Sequence, residues 1–472
     1  MDVLLVHGYS ETSLGAYFTL PQRIQAAVPG TRVAVAAFNS LDDTITIDDL
    51  ADAMELRLEA MESRAAWNTT ACAVICHSTG ALVTRRWILN RLAVGKPIPS
   101  HLITMAGANH GSTLAALGKS PLGYVQKLLQ KHILTVGASV LVDLEYGSDF
   151  LLRLNDEWLD RSIDGSLGGL WQFSMGGDSI GTDATLQLLW PTHEPGSNNT
   201  VRISGANLNY SFIDASHGPG RQPAVTARRP PRSVPHLVLE GYSHFGGASG
   251  IIGFVDPAGD RALDAVVAAL GVHDAASYAN LQTGWAATTA QWMSAKRAAR
   301  AGAAGSLSQI NSTLLFDVRD ESGRAIDDCM IVMLDQSQLP VAAHASVDQG
   351  APALSVVNAA NAVSPSILPH SPIHNDANRA AYSFYIDYDE YLKSSPHWLH
   401  VEAAVPTQLL SFVPLTFTQP PNLQHTIGEN EFTYVRLTMS RAVDQIYAAY
   451  HTPFDPNTTW QPMPFPPAGQ IP

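Results

Sequence analysis

Val74-Ile75-Cys76-His77-Ser78-Thr79-Gly80 is an apolar run that passes through a histidine and two hydroxyl residues into a glycine. The residues before it, Thr70 to Cys76, predict a buried strand, and Gly80 to Leu92 predicts a helix. A serine in so tight a strand-to-helix turn has its Oγ exposed above the sheet edge. Its neighbours must be small, because the turn brings the helix against the strand. Gly80 meets that need, and Cys76 is a second small residue. The Thr79 N–H, at the start of the helix, is placed to donate to a developing oxyanion. An ordinary βα turn in which Ser-Thr-Gly merely caps a helix is the alternative reading of the same residues.

Outward from this turn the first 110 residues alternate strand and helix. Val3 to Val6 reads as a buried strand, Tyr17 to Ala27 as a helix and Arg32 to Phe38 as a strand. Asp48 to Glu62 has helical spacing, with Leu50, Met54, Leu58 and Met61 on one face, and Leu102 to Ala106 is the next strand. Trp171 to Met175 and His236 to Glu240 continue the pattern, and Ala275 to Ala301 predicts a long helix. Strands alternating with helices imply an α/β fold with a doubly wound parallel sheet. The amphipathic stretch 111–160 interrupts the rhythm as a helical insertion. After residue 304 five or six strand-like runs follow without intervening helices, from Thr313–Val318 to Phe432–Met439. They predict a separate all-β sandwich over 305–450, with a Pro-rich tail over 451–472.

Composition narrows the function. Hydrophobic residues make up 46% of the 472, enough for buried cores, and charged residues only 15%. A net charge of −14 with no Lys/Arg-rich run argues against nucleic acid as a partner. No apolar run is long enough to span a bilayer. The start shows no basic stretch and no cleavage site, so the expectation is a cytoplasmic protein or one exported without a visible signal peptide. Cys72, Cys76 and Cys329 form no disulfide framework, and no spacing of His, Cys, Asp or Glu indicates a metal site. No cofactor is implied; the Gly246-Gly247 stretch lacks the Lys-Ser/Thr of a phosphate loop.

Two further loops fit the serine turn. His7-Gly8-Tyr9 ends the first strand, where the Tyr9 N–H is placed to supply the second half of an oxyanion hole. His244, in Gly241-Tyr242-Ser243-His244-Phe245, follows the last strand among small residues and is the candidate base for Ser78. His110 is its rival, but its place directly after the strand following the serine helix suits a structural loop residue better.

In this order these stretches resemble the α/β-hydrolase superfamily, specifically bacterial lipases and esterases, over about residues 1 to 270. The resemblance implies a nucleophilic Ser78, a general base His244 and oxyanion donors Tyr9 and Thr79. It also implies that 111–160 is lid-like, and that the substrate is an acyl ester or lipid, bound without a cofactor and in some such enzymes at an interface. In the slot where similar lipases carry the triad acid, this sequence has Gly196-Ser197-Asn198-Asn199-Thr200-Val201. Asn198 therefore stands where a carboxylate is expected, with Asp178, Asp183 and Glu194 as alternatives. A phospholipase or acyltransferase would use the same machinery, and a decayed hydrolase acting as a binding scaffold would also carry an amide in that slot.

Overall fold

The computed structural model describes residues 1–9, 17–64, 67–112, 115, 137–180, 196–246, 249–255, 259–301, 310–335, 373–375, 377–393, 397–403, 411–417 and 426–442. In chain order the first elements are β1 (Asp2–Val6), α1 (Leu20–Ala27), β2 (Arg32–Ala36), α2 (Ile47–Glu62), β3 (Cys72–His77), α3 (Gly80–Ala93), β4 (His101–Met105), α4 (Ala138–Leu144), α5 (Asp149–Ile163) and β5 (Trp171–Gly177). The chain continues through α6 (Ile203–Ala206), β6 (Tyr210–His217), β7 (Pro223–Arg228), β8 (His236–Leu239), α7 (Arg261–Leu270) and α8 (Ala275–Ala301).

Six of these strands form one sheet in the order β2-β1-β3-β4-β5-β8, with every pairing parallel. Leu4, Val6, Val74, Cys76 and Leu102 face a core shared with α2, α3 and α5. Their neighbours Val3, Leu5, Ala73, Ile75 and Ile103 face the opposite core, shared with α1, α7 and α8. Burial on both faces explains why these strands read as unbroken apolar runs rather than alternating ones. A capping box at Thr46 and Asp49 starts α2. At the sheet edge, the Thr289 hydroxyl of α8 accepts from the Val238 N–H (3.2 Å) and donates to the His236 carbonyl (3.2 Å), which blunts β8 as a pairing edge.

The remaining strands are β9 (Asn311–Asp320), β10 (Cys329–Asp335), β11 (Ile373–His374), β12 (Ala381–Asp387), β13 (His397–Ala403), β14 (Ser411–Phe412), β15 (Leu415–Phe417), β16 (Phe432–Met439) and β17 (Arg441–Ala442), with a short helix α9 (Tyr388–Lys393) after β12. A six-stranded mixed sheet, β11-β12-β9-β16-β6-β7, lies against a three-stranded antiparallel sheet, β10-β13-β15. Residues on both sides of 304/305 contribute to the six-stranded mixed sheet. β6 and β7 leave the first sheet between β5 and β8 and join the second, where β16 pairs in parallel with both β6 and β9. The alternation is strict: Ile213, Leu314, Phe316, Val435 and Leu437 face the three-stranded sheet, whereas Phe212, Leu315, Phe432 and Tyr434 face α5.

Residues 137–160, the described part of the stretch 111–160 beyond its first few residues, pack into the body of the protein. Phe150, Leu151, Leu154 and Trp158 of α5 are buried beside α3, and Leu159 is buried against the second sheet. Residues 113–114, 116–136 and the tail 451–472 lie outside the described residues.

Candidate active site

β3 delivers the serine. Ser78 has φ +53°, left-handed for a residue with a side chain, and sits between the end of β3 and the start of α3. The turn can close only because the next residue but one is glycine. A Cβ on Gly80 would lie 2.4 Å from the Val6 carbonyl oxygen and 2.5 Å from that of His7. Smallness is therefore compulsory at Gly80. At Cys76 the buried thiol fits beneath the turn, where burial pushes its pKa up to about 12 and keeps it protonated.

Ser78 Oγ lies 2.9 Å from His244 Nε2. The loop bearing His244 is fixed from three sides. His77 Nε2–H donates to the His244 carbonyl (2.9 Å), with the two rings 4.7 Å apart. The His244 N–H donates to the Asn198 carbonyl (3.2 Å), and the Gly241 N–H donates to Asp178 (2.6 Å). Burial, and then the neighbouring His77, holds the His244 pKa well below the usual histidine range, so the imidazole is neutral and able to accept a proton. His77 is lowered to about 4 chiefly by burial.

The first-strand loop reaches the same point. A Cβ on Gly8 would lie 2.8 Å from Ser78 Cβ and 3.4 Å from Ser78 Oγ, so the backbone passes directly against the serine. His7 Nε2 accepts the Phe38 N–H (2.9 Å), which leaves the proton on Nδ1 to donate to the Gly8 carbonyl (2.8 Å). A trans peptide points its C=O and N–H in opposite directions, so this bond fixes the direction of the Tyr9 N–H. Burial, and Asp43 after it, raises the Tyr9 phenol pKa and keeps the side chain neutral. Thr79 caps α3, with its N–H at the positive end of that helix.

Of the four candidates for the acid, Asn198 and Asp178 lie among the described residues. Asn198 is fully buried, and its Oδ1 accepts the N–H groups of Val201 (2.9 Å) and Thr200 (3.3 Å). Its Nδ2 and the His244 Nδ1 are both buried without a hydrogen-bond partner among the described residues. Asp178 is committed elsewhere. Its carboxylate accepts from Gly241 N–H, from Trp292 Nε1 (2.8 Å) and from Lys296 Nζ (2.9 Å), anchoring the start of the histidine loop to α8. Asp183 and Glu194 lie outside the described residues. His110 is structural: it donates from Nε2 to the Asn207 carbonyl (2.8 Å), accepts the Tyr434 hydroxyl at Nδ1 (2.9 Å) and stacks on Phe432. Among the described residues no group of His, Cys, Asp or Glu could hold a metal ion, and no helix is long and apolar enough to cross a membrane.

The chain is an α/β-hydrolase: the parallel sheet, with the serine turn at the carboxyl end of a central strand, follows that superfamily across its first half. Phospholipase PlaB from Legionella pneumophila is similar along the whole length, with 25% identity, a TM-score of 0.77, and 99% of this chain and 98% of that chain covered. The same enzyme in complex with thio-NAD matches with 25% identity and a TM-score of 0.77 over 100% of this chain and 99% of that chain. A mature lipase from Bacillus licheniformis matches with 16% identity and a TM-score of 0.36 over 52% of this chain and 84% of that one. No protein-family model matches the chain, and no curated protein does.

Proposed function

We propose that the protein is a serine carboxylester hydrolase of lipid acyl esters, with phospholipids as the first substrate class to test. The observation that carries this reading is the 2.9 Å approach of Ser78 Oγ to the neutral, buried Nε2 of His244. Ser78 attacks the ester carbonyl while His244 takes its proton, and the N–H groups of Thr79 and Tyr9 receive the oxyanion. Collapse expels the alcohol, protonated by His244, and leaves Ser78 acylated. Water activated by the same imidazole then releases the fatty acid. Asn198, in the slot where similar lipases carry the acid, holds the histidine loop through its backbone carbonyl, which accepts the His244 N–H. The phospholipid class follows from the whole-length likeness to PlaB, which is itself a phospholipase.

Fatty-acid release from phosphatidylcholine vesicles, measured beside hydrolysis of p-nitrophenyl butyrate, tests both parts. Wild type is expected to cleave both and Ser78→Ala neither. Cleavage of the soluble ester alone would retain the serine hydrolase and remove the phospholipid assignment. Equal turnover by the two proteins would remove the nucleophile.

A further inference from the structure

Residues 196–209 carry Asn198 and are held from two sides: on one, the loop after β4 donates from Ser112 Oγ to the Thr200 carbonyl (2.5 Å), from the His110 N–H to the Gly205 carbonyl (3.2 Å) and from Asn109 Nδ2 to the Ala206 carbonyl (2.8 Å). The segment folds back on itself through a bridge between Ser197 and Arg202 and a bond from the Ile203 N–H to the Gly196 carbonyl (2.9 Å). Asn198 lies inside that fold-back, with its carbonyl on the His244 N–H. The opposite side of the segment meets the second sheet. Arg202, only 2% exposed, donates to Asn311 Oδ1 of β9 (2.9 Å) and sets its guanidinium 3.4 Å over the Tyr385 ring of β12. Ser204 and Thr313 share a hydroxyl bond of 2.8 Å, and Asn207 donates to the Asn430 carbonyl (3.0 Å).

We infer that Arg202, clamped by Asn311 and Tyr385, is a positioning residue for the Asn198–His244 pair, so that the second β unit forms part of the scaffold of the active site. This rests on the hydrolase reading above. A buried guanidinium stacked on an aromatic face and bonded in its plane has one allowed position, and it lies across the bridge from Ser197 and four residues from Asn198. Displacement of a reacting group by about 1 Å costs about a hundredfold in rate. Loosening the clamp therefore acts on kcat through His244, at a distance from any substrate contact.

The test uses the full chain with Tyr385→Leu, which removes the aromatic face, and Tyr385→Phe, which retains it. Phe384→Leu is the control, because Phe384 lies on the same strand but faces the three-stranded sheet. On p-nitrophenyl butyrate, Tyr385→Leu is expected to lower kcat by at least about tenfold with KM within about twofold. It should also shift the acidic limb of the kcat/KM profile, since His244 then sits in a changed environment. Tyr385→Phe should stay within about threefold of wild type, as should Phe384→Leu at a comparable loss of Tm. The inference is overturned by a folded Tyr385→Leu as fast as wild type, by Tyr385→Phe as slow as the leucine variant, or by an equal fall in Phe384→Leu. Should Tyr385→Leu not fold, Asn311→Ser is read by the same criteria. Ser78→Ala runs alongside: activity in it would remove the hydrolase reading, whereas Ser78-dependent activity indifferent to Tyr385 removes only the clamp.

Discussion

Asn198→Asp should make this enzyme faster. The substitution replaces an amide NH2 by an oxygen with almost no change in volume, at a site whose orientation is set by backbone. One side-chain oxygen keeps the Val201 and Thr200 N–H donors, and the other replaces Nδ2, which has no partner among the described residues. The His244 Nδ1, without a partner among the described residues, then has a carboxylate in the adjoining residue whose carbonyl already accepts the His244 N–H. In serine hydrolases the reverse exchange, acid to amide, costs about 10⁴ in kcat, which at about 1.36 kcal/mol per decade is about 5.4 kcal/mol. Desolvation of the new carboxylate offsets part of that, so the gain should fall between about 10² and 10⁴ in kcat, with KM little changed. Steady-state hydrolysis of p-nitrophenyl butyrate by the two proteins, each checked for an intact thermal transition, measures it. A folded Asn198→Asp no faster than wild type would refute the assignment of position 198 to the acid slot.

Gly8→Ala places a methyl 2.8 Å from Ser78 Cβ, and should lower kcat about a hundredfold while the fold survives, as activity and circular dichroism together would show. Gly80→Ala meets backbone oxygens at 2.4 and 2.5 Å, where nothing can yield, and should destabilise the whole sheet by more than about 3 kcal/mol in denaturant titration. Asp178→Asn leaves Lys296 without its buried partner and should cost about 2 kcal/mol of stability, yet kcat should fall less than about tenfold; a fall of about 10⁴ would make Asp178 the triad acid instead. The pH dependence follows from histidines buried in the neutral state. With a folded pKa of about 4 against about 6.5 unfolded, His77 contributes nothing above pH 6.5, because both states are then neutral. As pH falls below 6.5 the unfolded chain takes up the proton first, and stability drops by on the order of 3 kcal/mol by pH 4 from this residue alone. His236, also lowered to about 4 by burial, adds in the same direction. Thermal unfolding followed across that range should show Tm falling steeply below pH 6.5; a flat profile would contradict the buried neutral histidines.

Much of the catalytic half is legible in the sequence because its signals are local. A strand that is apolar at every position, a serine and then a glycine say where a turn must be tight, and Gly80 against the Val6 and His7 carbonyls is the physical content of that pattern. The helices α2, α3 and α8 begin and end within a residue or so of where spacing and glycines put them. What escapes is long-range pairing. β6 carries the alternating Tyr210, Phe212, Ile213 and Ala215, but nothing in those residues says that their partner is β16, more than two hundred positions away. Asp178 shows the same limit at the site. Its place after β5 suits a triad acid, and only the structure reveals that Gly241, Trp292 and Lys296 already occupy its carboxylate. The second β unit reads as an appended module because strands without helices suggest autonomy, whereas its grip on Arg202 and His110 runs through single side chains far apart in the chain.

The central claim is that Ser78 is the nucleophile and His244 its base, and covalent trapping tests it most directly. A p-nitrophenyl phosphonate ester, incubated with wild type, Ser78→Ala and His244→Ala, should release one nitrophenolate per wild-type chain and leave the phosphonyl group on the peptide that contains Ser78. Neither variant should react at a comparable rate. Labelling at another residue, or undiminished labelling of Ser78→Ala, would contradict the account.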